Sequence, residues 1–115
     1  MKVCVAGQGA FGVKHIEAIQ KIPGIEIATL AGGSADSTAE VAKKFNIPHW
    51  SLDLAECLAR PGVVAAILAT PTQMHARQGI QCMRAGKHVQ IEIPIADNLR
   101  DAEELARVQD RKSVV

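Results

Sequence analysis

The stretch that decides the fold is KVCVAGQGAFG, residues 2–12. Its first half, residues 2–6, has the length and the β-branched content of a buried strand. Its second half is a glycine turn of the form G-x-G-x-x-G, which stands directly before an apolar stretch with helical spacing. A strand, a glycine turn and a helix in this order predict a site where a dinucleotide pyrophosphate rests on the free amides of the helix N-terminus.

Each glycine of this turn has its own physical role in such a site. Gly7 allows the tight turn, Gly9 lets the backbone approach a pyrophosphate, and Gly12 lets the helix pack closely on the strand. We therefore predict cofactor contacts for the whole turn, which comprises Gly7, Gln8, Gly9, Ala10, Phe11 and Gly12. The alternative is a glycine-rich connection between strand and helix that binds nothing.

Apolar runs and helical stretches alternate along the rest of the chain. The runs cover residues 25–30, 63–69 and 88–93, with a short additional candidate at 49–50. This alternation is typical of βαβ units that build a parallel sheet with helices on both faces. The predicted fold class is α/β, a Rossmann-type doubly wound parallel sheet, with residues 1–115 as one dinucleotide-binding domain.

The spacing of apolar residues also predicts which face of each helix packs on the sheet. For the first helix, the expected buried residues are Phe11, His15, Ala18, Ile19 and Ile22. His15 is thus interpreted as a packed core histidine. For the helices that follow residues 34 and 72, the expected buried residues are Val41, Phe45, Ala76, Ile80 and Met83. Another helix is expected from Asp97 or Asn98.

The final residues, Ser113, Val114 and Val115, have the pattern of the first residues of another strand. We therefore expect the chain to be a fragment of a longer protein. An apolar sheet edge exposed at this end favours self-association or partial disorder of the C-terminus in the isolated piece.

Composition argues against several classes of protein. The chain has thirteen Lys and Arg and twelve Asp and Glu, so no basic field favours nucleic acid or a membrane surface as a partner. The N-terminus has no secretory leader and no long apolar segment, which predicts a cytoplasmic protein. Cys4, Cys57 and Cys82 match no metal-ligand spacing, so we expect three reduced, mostly buried thiols and no metal site.

The tip of the second strand bears on the choice between NAD and NADP. An Asp or Glu about twenty residues after the glycine turn commonly binds the adenosine ribose 2′-OH. Here the tip reads AGGS, residues 31–34, and carries no carboxylate. Ser34 and the N–H groups of Gly32 and Gly33 are candidate ligands of a 2′-phosphate, which favours NADP or the use of both cofactors. The alternative is that Gly32 and Gly33 form only a flexible turn.

Two further segments follow strands whose carboxyl ends meet at the same edge of the sheet, where ligands bind in such folds. The first contains Thr70, Pro71, Thr72 and His75. Pro71 fixes the turn, and Thr72 is expected to cap the next helix. His75 either faces the nicotinamide ribose or has no cofactor role and is simply packed or solvated. Glu92, near the tip of the last run, faces either the crevice or solvent.

This ordered set of motifs resembles the glucose-fructose oxidoreductase/inositol dehydrogenase/MocA-type oxidoreductases. The resemblance covers all 115 residues. It implies NADP or NAD as cofactor, a small-molecule substrate, and cofactor contacts for Gly7, Gly9, Gly12, Thr70, Pro71, Thr72, His75 and Glu92. It also implies a second domain that supplies the substrate-binding and proton-transfer residues and forms a homo-oligomer. No catalytic residue is therefore assigned here, and the 115-residue piece alone is expected to be inactive.

Two departures from the family pattern narrow these expectations. Ile93 stands where the family usually has a Lys that positions nicotinamide and substrate, and an alkyl side chain transfers no proton. The segments 70–75 and 89–94 are similar to a branch that oxidises the hemiacetal of an aromatic-catabolism semialdehyde. That branch tends to have Ser-Arg in place of Gly32-Gly33, which weakens the case for NADP. Alternatives are a sugar or polyol dehydrogenase and a nucleotide sensor without catalysis.

Overall fold

The computed structural model describes residues 1–91, in which strands and helices alternate. In chain order they are β1 Lys2–Ala6, α1 Ala10–Gln20, β2 Glu26–Ala31, α2 Ala35–Lys44, β3 Trp50–Ser51, α3 Leu54–Leu58, β4 Val63–Leu68, α4 Thr72–Arg84 and β5 His88–Ile91. The expectations for Glu92, Ile93, the helix from residue 97 or 98 and the last three residues lie outside the described part of the chain.

Within residues 1–91, five strands form one sheet in the order β3-β2-β1-β4-β5. β1 pairs in parallel with β2 on one side and with β4 on the other, and every remaining pair is parallel too. The strand order therefore reverses beside β1, which leaves a crevice at the carboxyl ends of β1 and β4. The predicted Rossmann-type α/β fold is confirmed, and each predicted strand start lies within one residue of the observed one.

Helices cover both faces of the sheet because the side chains of β1 alternate between two cores. One core contains Val3 and Val5 and is covered by α1 and α2 through Ile16, Ile19 and Ala42. The other contains Cys4 and Ala6 and is covered by α3 and α4 through Leu54, Cys57, Leu58, Cys82 and Met83. The sheet is thus doubly wound, and both of its faces are apolar.

The buried face of α1 differs from the one that apolar spacing predicts. Gly12, Ile16 and Ile19 face the sheet, whereas Phe11 is 69% exposed and Ile22 is 47% exposed. Ala18 is also exposed and His15 is only half-buried, so the prediction of His15 as a core histidine is wrong. The reason is that Gly12 packs directly against the backbone of Gly7, and Ile16 and Ile19, four and seven residues further on, lie on the same face of the helix as Gly12.

The other two long helices follow the prediction more closely. α2 buries Thr38 and Ala42, and the expected Val41 and Phe45 are partly buried beside them. α4 buries the expected Ala76 and Met83, with Ile80 partly buried at the edge of the same core. None of the helices within residues 1–91 is long and apolar enough to cross a lipid bilayer.

All three cysteines are free and buried, as expected. Cys4 and Cys57 interact directly: a hydrogen bond with Cys57 raises the pKa of Cys4, and the same bond lowers the pKa of Cys57 to about 7. Burial raises the pKa of Cys82 to about 12. These thiols belong to the core between the sheet and the helices α3 and α4.

Two Ile→Ala substitutions test whether the face of α1 that contains Ile16 packs on the sheet. Ile16→Ala is expected to lower the free energy of unfolding by about 2–5 kcal/mol, because Ile16 is fully buried. Ile22→Ala is expected to change it by no more than about 0.5–1 kcal/mol, because Ile22 lies at the surface. Urea unfolding of both variants measures the difference, and equal losses would contradict the assignment.

Candidate functional site

The glycine turn is held rigidly between β1 and its neighbouring strands. Gly7 has φ +123°, a conformation that side chains with a Cβ rarely adopt. Its N–H donates to the carbonyl oxygen of Ala31 at 2.8 Å, and a Cβ on Gly7 would lie 2.5 Å from the carbonyl oxygen of Ala69. The turn therefore sits at the junction of β1, β2 and β4, at the carboxyl edge of the sheet.

The other two glycines of the fingerprint have opposite surroundings. A Cβ on Gly12 would overlap the carbonyl oxygen of Gly7, so the first turn of α1 lies directly against the glycine turn. A Cβ on Gly9 would meet no atom within 4 Å. Gly9 is the N-cap of α1, and its carbonyl accepts the N–H of Val13 at 2.9 Å. The open side of the turn is thus the side on which the first amides of α1 lack intrahelical acceptors.

A cavity of about 730 Å³ opens on this side of the turn, at the carboxyl ends of the strands. Most of the predicted contact residues line it: Gly7, Gln8, Gly9, Ala10, Phe11, Gly33, Thr70, Pro71, Thr72 and His75. Gly12 lies behind the turn, Ser34 is the N-cap of α2, and neither belongs to the cavity wall. Glu92 lies outside the described residues.

The cavity wall also contains residues that sequence reasoning missed. They are Ala6, Ala31, Leu52, Leu54, Ala69, Met74 and Gln78. Leu52 and Leu54 follow β3, which has only two residues. So short a strand gives no sequence pattern from which its carboxyl end, and hence these two residues, could be assigned to the cavity. Met74 and Gln78 lie on α4 on either side of His75. Gln78 follows His75 by three residues and therefore shares its face of the helix, which is the sequence pattern that could have identified it.

Buried side chains fix the turn after β4. The Nε2 of His75 donates to the carbonyl oxygen of Thr70 at 2.7 Å, and His75 is only 2% exposed. The hydroxyl of Thr70 donates to Oε1 of Gln78 at 2.5 Å. His75 is therefore a buried residue of the cavity wall that holds the turn in place, rather than a solvated one.

The start of α4 differs from the sequence prediction. Pro71, not Thr72, is the N-cap residue, and no side chain caps the helix. The expected capping role of Thr72 is wrong, because Pro71 already has the extended ψ of 143° from which the helix begins. Thr72 is the first helical residue and lies in the cavity wall.

The turn between β2 and α2 is also more constrained than a flexible loop. The N–H of Gly32 donates to the carbonyl oxygen of Ser51 at 3.1 Å, and the N–H of Gly33 donates to Oε1 of Gln8 at 3.0 Å. A Cβ on Gly32 would overlap the hydroxyl of Thr38. Neither glycine N–H is therefore a free donor for a phosphate in this structure, contrary to the expectation from sequence.

The whole chain, residues 1–115, matches the profile of the oxidoreductase family with an NAD-binding Rossmann fold. The chain belongs to this family. The resemblance to glucose-fructose oxidoreductase, inositol dehydrogenase and MocA is thereby confirmed, and with it the class of cofactor, a nicotinamide dinucleotide.

Two relatives show the range of activities found in the family. A 4-carboxy-2-hydroxymuconate-6-semialdehyde dehydrogenase from Sphingobium sp. strain SYK-6 is 49% identical over all of this chain, which covers 36% of that protein. An NADP(+)-dependent scyllo-inositol 2-dehydrogenase from Bacillus subtilis is 28% identical over all of this chain, which covers 35% of it. The chain thus spans about a third of the length of these relatives.

Solved structures have the same fold over the same span. A probable dehydrogenase from Thermotoga maritima superposes with a TM-score of 0.94 at 25% identity, over 100% of this chain and 34% of that one. GenD2 from gentamicin A biosynthesis, in complex with NAD, superposes with a TM-score of 0.92 at 26% identity, over 100% of this chain and 33% of that one.

The different surroundings of two fingerprint glycines predict losses of stability of different size for the same substitution. Gly12→Ala is expected to lower the free energy of unfolding by about 1–3 kcal/mol or more, because the new methyl group overlaps backbone. Gly9→Ala is expected to cost about 1 kcal/mol or less, because the methyl group enters open space. Thermal and urea unfolding measure both, and a larger loss for Gly9→Ala would contradict the described packing.

Proposed function

We propose that this domain binds the pyrophosphate of NAD or NADP on the glycine turn and forms the cofactor-binding part of a dehydrogenase. The observation that carries the proposal is the contrast between the glycines. Gly7 and Gly12 are closed in by backbone, whereas Gly9 alone of the three faces open space at the N-terminus of α1. A pyrophosphate can reach the helix amides only through such an open space.

The surroundings of the turn fit a dinucleotide. The first turn of α1 carries no acidic residue, so its positive end is not neutralised by the chain itself. The cavity beside it extends from Gly33 near the tip of β2 to His75 on α4. We assign the adenosine side to the tip of β2 and the nicotinamide side to the turn formed by Thr70, Pro71 and Thr72.

When bound, the nicotinamide supplies the hydride acceptor of the reaction. The residues of this chain contribute binding and orientation. The hydrogen bonds from His75 to Thr70 and from Thr70 to Gln78 fix the wall against which the nicotinamide would lie. Within residues 1–91 we assign no acid or base, and we propose that the substrate-binding and proton-transfer residues come from the part of the protein beyond this domain.

For the substrate, we propose the cyclic hemiacetal of 4-carboxy-2-hydroxymuconate-6-semialdehyde, with 2-pyrone-4,6-dicarboxylate as product. The support is the 49% identity to the Sphingobium enzyme over the whole chain, against 26–29% for the inositol dehydrogenases. In this oxidation the hemiacetal C–H gives a hydride, its O–H gives a proton, and a lactone carbonyl forms. Ile93 is compatible with it only if another group takes that proton.

The second candidate is oxidation of a sugar or polyol. It is favoured by the inositol dehydrogenases of Bacillus subtilis, which match 89–100% of this chain. Both candidates use the same cofactor site, so residues 1–91 do not distinguish them. Turnover of the semialdehyde and of the inositols by the full-length protein distinguishes the two candidates.

We expect the full-length protein that contains this chain to reduce NAD+ or NADP+ with the semialdehyde as substrate, and not with myo- or scyllo-inositol. The absorbance of the reduced nicotinamide follows the reaction. Turnover with an inositol alone would favour the second candidate. Tight dinucleotide binding without turnover of either substrate would make the protein a nucleotide sensor and contradict the proposed activity.

The pyrophosphate site is tested by Gly9→Ala in a binding experiment. The added methyl group occupies the open space where the pyrophosphate would lie, so dinucleotide affinity should fall by about ten-fold or more. Calorimetric titration measures the affinity, and the unfolding midpoint serves as the control for an intact fold. Unchanged affinity in a folded variant would show that the dinucleotide binds elsewhere.

A further inference from the structure

The side chain of Gln8 connects the glycine turn to the turn that follows β2. Its Oε1 accepts the N–H of Gly33 at 3.0 Å, and its Nε2 donates to the hydroxyl oxygen of Ser37 at 3.2 Å. The orientation of the amide follows from the partners, because a backbone N–H only donates. We call these two bonds the Gln8 clasp. It spans the position where Rossmann domains bind the adenosine ribose.

The N–H groups that a ribose 2′-phosphate would need at this turn are already hydrogen-bonded within the protein. The N–H of Gly33 is bonded to Gln8, and the N–H of Gly32 is bonded to the carbonyl oxygen of Ser51 at 3.1 Å. The hydroxyl of Ser37 donates towards the carbonyl oxygen of Ser34 at 3.5 Å. A phosphate at this turn would have to break these bonds to obtain its own.

The charges along this segment also disfavour a 2′-phosphate. Residues 32–42 contain no Lys or Arg, and Asp36 lies in the first turn of α2, at the positive end of the helix. Lys43 and Lys44 lie in the last turn of α2, and the rise of a helix places Lys43 about 12 Å along the axis from its first residue. No cation of this segment is therefore near the ribose position to neutralise a dianion.

We propose that the Gln8 clasp selects the unphosphorylated ribose, so that this protein prefers NAD+ to NADP+. The inference rests on the proposed dinucleotide site and deepens it by naming the cofactor. The relatives include both an NADP(+)-dependent and an NAD(+)-dependent scyllo-inositol dehydrogenase, so family membership leaves the choice open. The preference replaces the expectation of NADP or dual use that the missing carboxylate alone suggested.

The test is calorimetric titration of the full-length protein with NAD+ and with NADP+ at the same ionic strength. NAD+ is expected to bind about ten-fold more tightly or better, because residues 32–42 offer a 2′-phosphate no cation that would compensate its desolvation. Gln8→Ala removes both bonds of the clasp and frees the N–H of Gly33. This variant is expected to reduce the preference for NAD+ several-fold.

A matched pair of variants at Gly33 separates charge from size. A Cβ at Gly33 has only Nε2 of Gln8 within reach, at 4.0 Å, so a side chain fits there. Gly33→Arg supplies the missing cation and is expected to raise the affinity for NADP+ relative to NAD+ by about ten-fold or more. Gly33→Gln adds a long polar side chain without charge and is expected to leave NAD+ preferred.

The outcomes distinguish this inference from the proposed function. Equal or tighter binding of NADP+ by the unmodified protein would overturn the NAD+ preference and leave the dinucleotide site intact. An unchanged ratio in Gln8→Ala, with the variant folded, would overturn the role of the clasp. Failure to bind either dinucleotide would overturn the proposed function itself, and the preference with it.

Discussion

The close contact between Gly12 and the carbonyl oxygen of Gly7 is the constraint on which the rest of the site depends. Because no side chain separates them, α1 begins directly against the end of β1. This contact sets the rotation of α1, so Ile16 and Ile19 face the sheet. It also leaves Gly9 on the outer side of the turn, where the amides of the helix N-terminus open into the cavity.

Two other walls of the cavity, the turns after β4 and β2, are held by hydrogen bonds from side chains of the protein. Buried His75 holds the turn after β4 through the Thr70 carbonyl, and Gln8 holds the turn after β2 through the Gly33 amide. These two polar side chains of the cavity wall thus act on the backbone around them. Such a site is suited to binding and orienting a cofactor.

The sequence predicted those features that depend on local pattern. Strand positions, the parallel order and the glycine turn followed from alternation and spacing. The rotation of α1 about its axis was not predicted, because the spacing of apolar residues ignores Gly12, whose Cα packs against the carbonyl oxygen of Gly7. The Gln8 clasp was missed because it joins residues 25 and 29 positions apart, which no local pattern reports. Leu52 was missed because β3 has only two residues.

In the proposed site the dinucleotide pyrophosphate binds on the amides beside Gly9. The most direct measurement is the amide chemical-shift change of the isotope-labelled protein on titration with NAD+. We expect the largest changes at Gly9, Ala10 and Phe11, which begin α1 and line the cavity. Large changes confined to another face of the sheet, with these three amides unmoved, would contradict it.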